Sequence, residues 1–157
     1  MNQNDQLLAI DNYDIIDLMG LGGMDQGQKQ RLLLDINDMV WSSFITERLN
    51  FIFTSDQIGE IKEKMDSGAE LTELLEYMNS VSSNFNDLLV EYTRIFKIGY
   101  IRKHHQMVIE DFDREMKDLN GEERDRLSLM REKNVRALGC VDDCLWDEVI
   151  KIFKSKE

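Results

Sequence analysis

Phe85 to Met116 read "FNDLLVEYTRIFKIGYIRKHHQMVIEDFDREM". The spacing stays helical throughout, but the apolar face moves. Phe85, Leu88, Leu89, Tyr92 and Phe96 point one way at about 100° per residue. Ile101, His105, Val108, Phe112, Met116 and Leu119 point nearly the opposite way on a straight helix. The change falls around Gly99. Either one continuous helix serves two cores, or the helix breaks there. Both readings place a module boundary near residue 99.

Charge agrees with that boundary. Residues 1–99 carry 17 acidic and 7 basic side chains, a net of −10, whereas residues 100–157 hold 14 and 12, a net of −2. Such a field repels nucleic acid and anionic lipid and favours basic partners. The chain is 157 residues long, 42% hydrophobic and 32% charged, and has no proline. It can build a core and leans toward uninterrupted helices rich in Leu, Ile, Met, Glu, Lys and Arg.

Upstream, "MGLGGMDQGQKQ" (Met19–Gln30) packs four glycines into eight residues ahead of a lysine. A dinucleotide loop needs a third glycine where Asp25 stands, and a strand before it. A Walker loop needs Gly-Lys followed by Ser or Thr, but Gly27 is followed by Gln28 and Lys29. The stretch reads as a helix–helix connector in which glycine permits a sharp turn. "DNYDIIDLMG" before it reads as a short helix ending near Gly20. Asp25 with Gln28 fits a capping box. The helix that follows carries two adjoining stripes, one with Leu33, Ile36, Val40, Phe44 and Phe51 and one with Leu34, Trp41, Ile45, Leu49 and Ile52. That pattern predicts a central helix with neighbours on two sides.

Thr54 with Gln57 predicts a second cap, and Ile58, Ile61 and Met65 line a short helix that Gly68 ends as a left-handed cap. Leu71, Leu74, Leu75 and Met78 mark another helix, and "NSVSSN" a polar loop. Asn120 with Glu123 fits a third capping pair. Leu127, Met130 and Leu138 mark the next helix, closed by Gly139; Leu145, Val149, Ile152 and Phe153 mark the last. No convincing strand pattern occurs. The fold class is therefore an all-α multi-helix bundle: an acidic helical module over 1–99, then a helical hairpin plus a terminal helix over 100–157.

Recognisable catalytic constellations are missing. No nucleophile elbow, kinase signature or zincin motif is present, and no Glu-x-x-His pair of a di-iron bundle. Cys140 and Cys144 are four apart and share a face if helical, and with His104 and His105 they make a weak metal pattern. The plainer reading is small buried cysteines and a hydrogen-bonded His105 on an apolar stripe. In "EDFDREMKD" (Glu110–Asp118), Arg114 and Lys117 interleave with the acids, as on a solvated salt-bridged face. Most of the methionines, including Met65, Met78 and Met130, fall at core-facing positions. The expectation is no enzyme, no cofactor and no metal site.

From Ile15 to about Tyr100 the chain resembles a family of small all-helical domains of unassigned function from reduced-genome, candidate-phyla bacteria. The resemblance rests on "DLMGLGGMDQGQKQRLLLDINDMV", "ITERLNFIFTSDQIGEIKEKMDSG" and "LTELLEYM". It implies an acidic helical module and carries over no catalytic residue; the tail from Ile101 lies outside it.

Function is accordingly expected to be protein interaction: docking of a basic protein partner, with self-association through the helical tail. Asp11, Asp14, Asp17, Glu60, Glu63, Glu70, Glu73 and Glu76 are the candidate contact acids. Mimicry of nucleic acid by an inhibitor and metal binding are the alternatives. Direct nucleic-acid or membrane binding is not expected. "MNQNDQLLAI" lacks the basic start and apolar core of a signal peptide, no apolar run spans a bilayer, and two cysteines make no disulfide framework, so a cytoplasmic location is expected.

Overall fold

A computed structural model describes residues 3–155. The protein is all-α: the described residues form eight α-helices and two short 3-10 turns and contain no strand. The helices are α1 (Gln3–Leu8), α2 (Ile15–Leu18), α3 (Gln26–Ile52), α4 (Ser55–Asp66), α5 (Leu71–Val81), α6 (Phe85–Glu115), α7 (Glu122–Asp142) and α8 (Trp146–Lys154). None is long and apolar enough to cross a membrane among the described residues.

Helix α6 runs unbroken through Gly99. Its apolar face changes as the periodicity requires: Phe85 and Tyr92 are buried in its first half, and Ile101 and His105 in its second. The sixteen residue steps from Phe85 to Ile101 turn the helix by about 160° beyond whole turns. One uninterrupted helix thus contributes to two separate cores.

The two compact units differ from a division at residue 99. One is Gln30–Thr93; the other joins Met1–Lys29 to Arg94–Glu157. The N-terminal segment belongs with the tail because long-range polar contacts hold it there. Trp146 Nε1 donates to the Gln6 carbonyl at 2.7 Å, and Tyr13 Oη to Asp147 at 3.0 Å. Lys97 Nζ donates to the carbonyls of Ile10, at 2.9 Å, and Tyr13. Helical periodicity reports which face is apolar, not which distant segment covers it.

Within Gln30–Thr93 the core is an aromatic cluster. Phe44 and Phe85 are fully buried; their rings meet edge-on at 5.7 Å, and Phe44 meets Tyr92 at 5.3 Å. Such pairs add about 0.5–1.5 kcal/mol each beyond area burial. Two expected end signals are present. Thr54 and Gln57 form a reciprocal capping box. Gly68, at φ +79°, closes α4 in a Schellman turn, with Ala69 N–H donating to the Lys64 carbonyl and Gly68 N–H to that of Met65. The first capping box, Asp25 with Gln28, opens α3 as read.

Several local expectations are corrected. The "DNYDIIDLMG" helix is two pieces, a 3-10 turn over Ala9–Asn12 and then α2, because Asp14 caps α2 by accepting from Ile16 N–H at 2.8 Å. Asn120 does not cap α7; Gly121, at φ +69°, occupies that position without a side-chain bond. Gly139 lies inside α7, which continues to Asp142. Cys144 takes the left-handed position after α7, at φ 56°, so it shares no helix face with Cys140. Both thiols are half-buried rather than buried. Helix α5 extends to Val81 and shortens the expected loop. Only Ile36, Phe44 and Leu49 of α3 are buried, while Leu33, Leu34 and Phe51 are exposed, Phe51 by 85%. Met78 is in the core, but Met65 and Met130 are exposed. Apolar spacing marks a face as buriable; burial also needs a neighbour on that face.

Gly20 is the glycine that the second unit demands. It sits at φ +73°, and a Cβ there would lie 2.6 Å from the Phe153 ring. Gly20→Ala is expected to destabilise the protein by about 2–4 kcal/mol, from left-handed strain plus overpacking. Gly23→Ala, with nothing within 4 Å of the new methyl, is expected to change stability by less than about 1 kcal/mol. Chemical denaturation of the two variants checks the contrast.

Candidate functional site

The predicted contact acids divide between the two units. Asp11 receives Arg94 in a two-pronged ion pair, with Arg94 Nε at 3.1 Å. The Arg94 hydrogen bond holds the Asp11 carboxyl below its ordinary range, with Lys97 adding to the effect. Asp14 is the α2 cap. Asp17 is half-buried, with its Oδ1 3.0 Å from where a Gly22 Cβ would stand. Asp11 and Asp14 are thus already engaged in organising the segment that leads into α2.

Glu60, Glu63, Glu70, Glu73 and Glu76 lie on α4, α5 and their connection, and all five are exposed. The capping box and the Schellman turn fix the ends of α4. Tyr77 of α5 donates its hydroxyl to Glu60 of α4, which pushes the phenol up to about 12, and Lys64 lies 5.3 Å from the Tyr77 ring centre. Glu60 is therefore a strut of the hairpin. Glu63, Glu70, Glu73 and Glu76 remain as a solvent-facing acidic set.

The charge distribution is uneven. Gln30–Thr93 contains 12 Asp/Glu and 4 Lys/Arg, a net of −8 out of −12 for the chain. Among the described residues, all five ion pairs lie in the other unit: Arg94–Asp11, Arg102–Asp142, Arg114–Asp111, Arg131–Asp113 and Lys151–Glu148. The Arg114–Asp111 pair is the salt-bridged face expected in "EDFDREMKD". The same acidic unit exposes Leu34, Phe51, Met65, Leu71 and Val90.

A second polar centre lies in the unit formed by Met1–Lys29 and Arg94–Glu157. His105 of α6 is fully buried. Its Nε2 lies 2.9 Å from the Leu18 carbonyl and its Nδ1 2.9 Å from Asn134 Oδ1. Asn134 Nδ2 donates to the Met130 carbonyl at 3.0 Å, which turns the amide oxygen toward the ring. Each ring nitrogen thus faces an oxygen. The ring also stacks on Phe153, 5.6 Å between centres and 4° from parallel. A hydrogen-bonded histidine on the apolar stripe is what the sequence predicts; its partners, 29 and 87 residues away, carry no signal in it. Neighbouring His104 donates from Nε2 to the Met19 carbonyl at 3.1 Å. Burial, with His105 beside it, pushes His104 below its ordinary value.

Neither centre assembles a nucleophile with a base. Among the described residues no group of three or more His, Cys, Asp or Glu side chains is placed to hold a metal ion. Burial raises both cysteine thiols, Cys140 and Cys144, which disfavours the thiolate. Sequence reasoning missed Trp146, almost fully buried, Lys97 and Asn134. Trp146 was legible as an aromatic on the α8 apolar stripe; Lys97 and Asn134 were not, because their partners, the Ile10 and Tyr13 carbonyls for Lys97 and the His105 ring for Asn134, come from distant segments. No protein-family model matches the chain, and neither a curated protein nor a solved structure is significantly similar to it.

His105→Phe is expected to keep the Phe153 stack yet orphan two oxygens, costing about 2–4 kcal/mol in denaturation. For His104, the folded value lies below the ordinary 6.5, so its contribution is complete above that value and is lost as pH falls through the folded one. Stability is expected to drop between pH 7 and 5, and the slope to shrink in His104→Gln. Asp11 and Asp113, both held below the ordinary carboxylate value, act at lower pH, so the difference between native chain and His104→Gln in denaturation midpoints across that window reads His104.

Proposed function

We propose that the chain is a non-catalytic, cytoplasmic protein-interaction module in which Gln30–Thr93 docks a basic, amphipathic protein segment. The observation that supports this reading is the concentration of uncompensated charge. That unit holds a net of −8, and no ion pair among the described residues falls within it. Its exposed side chains include both Glu63, Glu70, Glu73 and Glu76 and the apolar Phe51, Met65 and Leu71. A partner with lysines or arginines beside an apolar stripe complements both features. The carboxylates steer the encounter and suppress anionic competitors, and the apolar contacts supply the affinity. Self-association belongs to the tail, where Met107, Leu129 and Met130 are exposed.

The test is capture of partners from source lysate by the tagged chain and by a variant with Glu63, Glu70, Glu73 and Glu76 each changed to Gln. Captured proteins are identified by mass spectrometry. The native chain is expected to enrich a basic protein at about 0.1 M salt and to lose it at about 1 M, where the screening length falls from about 10 to about 3 Å. The variant is expected to lose it at both. Equal capture by native chain and variant overturns the reading. Displacement of the partner by double-stranded DNA identifies the acids as mimics of phosphate, the inhibitor alternative.

A further inference from the structure

The other unit contains a cavity of about 230 Å³. It lies where the end of α2 meets α6, α7 and the last turn of α8. Met19, Leu21, Val108, Phe112, Met130 and Phe153 supply an apolar lining. Among the described residues that line it, Lys133 is the one Lys, Arg, Asp or Glu, and none carries a carboxylate. In a chain with 31 acidic and 19 basic residues, a cavity with a lysine and no acid is the opposite of the average surface. The neighbouring cavity, which shares Gly20 and Phe153, is lined by Asp17 as well as Lys154 and so presents both signs.

We infer that the cavity beside Gly20 binds a small apolar carboxylate, an aromatic ring or short alkyl chain bearing one carboxyl group. The apolar body replaces water against Leu21, Val108 and Phe112, and the carboxylate pairs with the Lys133 ammonium. That ammonium is available: among the described residues its hydrogen bond is a long one, 3.4 Å to the Ser155 carbonyl, and none of the ion pairs includes it. His104 adds no second cation, because burial lowers it and its Nε2–H is committed to the Met19 carbonyl.

The walls are held before any ligand arrives. Phe153 is stacked on the His105 ring and lies close against Gly20, where a Cβ would clash with it. His105 is pinned in turn by two 2.9 Å contacts. A preformed wall spares the ligand the cost of ordering it. Size sets the class: an apolar cavity of about 150 Å³ accepts benzene, while drug-sized ligands need about 300 Å³ or more. The space therefore suits about ten non-hydrogen atoms, for which a Kd of about 0.1–1 mM is appropriate. This inference is independent of the docking reading, which concerns Gln30–Thr93.

The experiment is an amide chemical-shift titration of the full chain with 3-phenylpropionate, 3-phenylpropanol and 3-phenylpropylamine, which share a body and differ in charge. Saturable shifts are expected with the carboxylate at Met19, Leu21, Val108 and Phe153, weaker binding by the alcohol, and none by the amine. Lys133→Gln is expected to weaken the carboxylate at least about fivefold while leaving the alcohol unchanged. Val108→Phe, which fills the space, is expected to weaken both. Its folding is read from the same spectrum, and Lys133→Gln carries the test should that variant unfold. The inference is overturned if no saturable shift occurs up to about 10 mM, if acid and alcohol bind equally, or if the shifts scatter over surface lysines and ignore Lys133→Gln.

Discussion

The unit formed by the two ends of the chain depends on one buried ring. His105 cannot lie at zero exposure unless its nitrogens are satisfied. The Leu18 carbonyl at the end of α2 and the Asn134 amide in the middle of α7 meet that requirement. Phe153 of α8 lies flat on the ring, and Gly20 leaves room for Phe153. Three helices and the turn after α2 are thereby referred to a single side chain on α6. The apolar cavity beside Gly20 is a consequence, since its walls are the residues this arrangement fixes.

Helix α6 carries the second constraint. Its apolar face rotates near Gly99, yet its backbone does not break. The same helix supplies Phe85 and Tyr92 to the aromatic core of Gln30–Thr93, and Ile101 and His105 to the core of the other unit. Glycine inside a helix is unfavourable by about 1 kcal/mol relative to alanine. Gly99 is tolerated because both flanking segments are held by their own cores. The helix is kept by tertiary burial rather than by local propensity.

The units also treat charge differently. In the one that holds the chain ends, 19 acids face 15 bases, and Asp11 and Asp14 bind Arg94 and an α2 backbone amide. In Gln30–Thr93 the carboxylates outnumber the cations three to one, and Glu63, Glu70, Glu73 and Glu76 face solvent. Self-repulsion in such a unit opposes compactness. The aromatic cluster around Phe44 and the closed ends of α4 offset it. A surface that maintains this repulsion in the free protein is well suited to release it on meeting positive charge.

Local order was written plainly in the sequence. Periodicity at 100° per residue identified the helices. Thr54 with Gln57, Asp25 with Gln28, and Gly68 specified ends whose atoms lie within a few residues of one another. The rotation of the apolar face at Gly99 announced two cores, and His105 on its stripe announced a buried polar ring. Failures began where the partner was distant or the competitor unseen. Asn120 lost its cap to Gly121, Gly139 was carried through α7, and Cys144 took a left-handed turn that glycine would favour. Leu33, Leu34 and Phe51 were left exposed by a helix that looked apolar on two sides. Of the eight proposed contact acids, three became structural because Arg94, the Ile16 amide and Tyr77 came to meet Asp11, Asp14 and Glu60. Local hydrogen bonding and side-chain spacing are properties of the chain and can be read from it. Which face is covered, which carboxylate is neutralised and where a cavity remains depend on pairings between remote segments, and only the folded chain decides those.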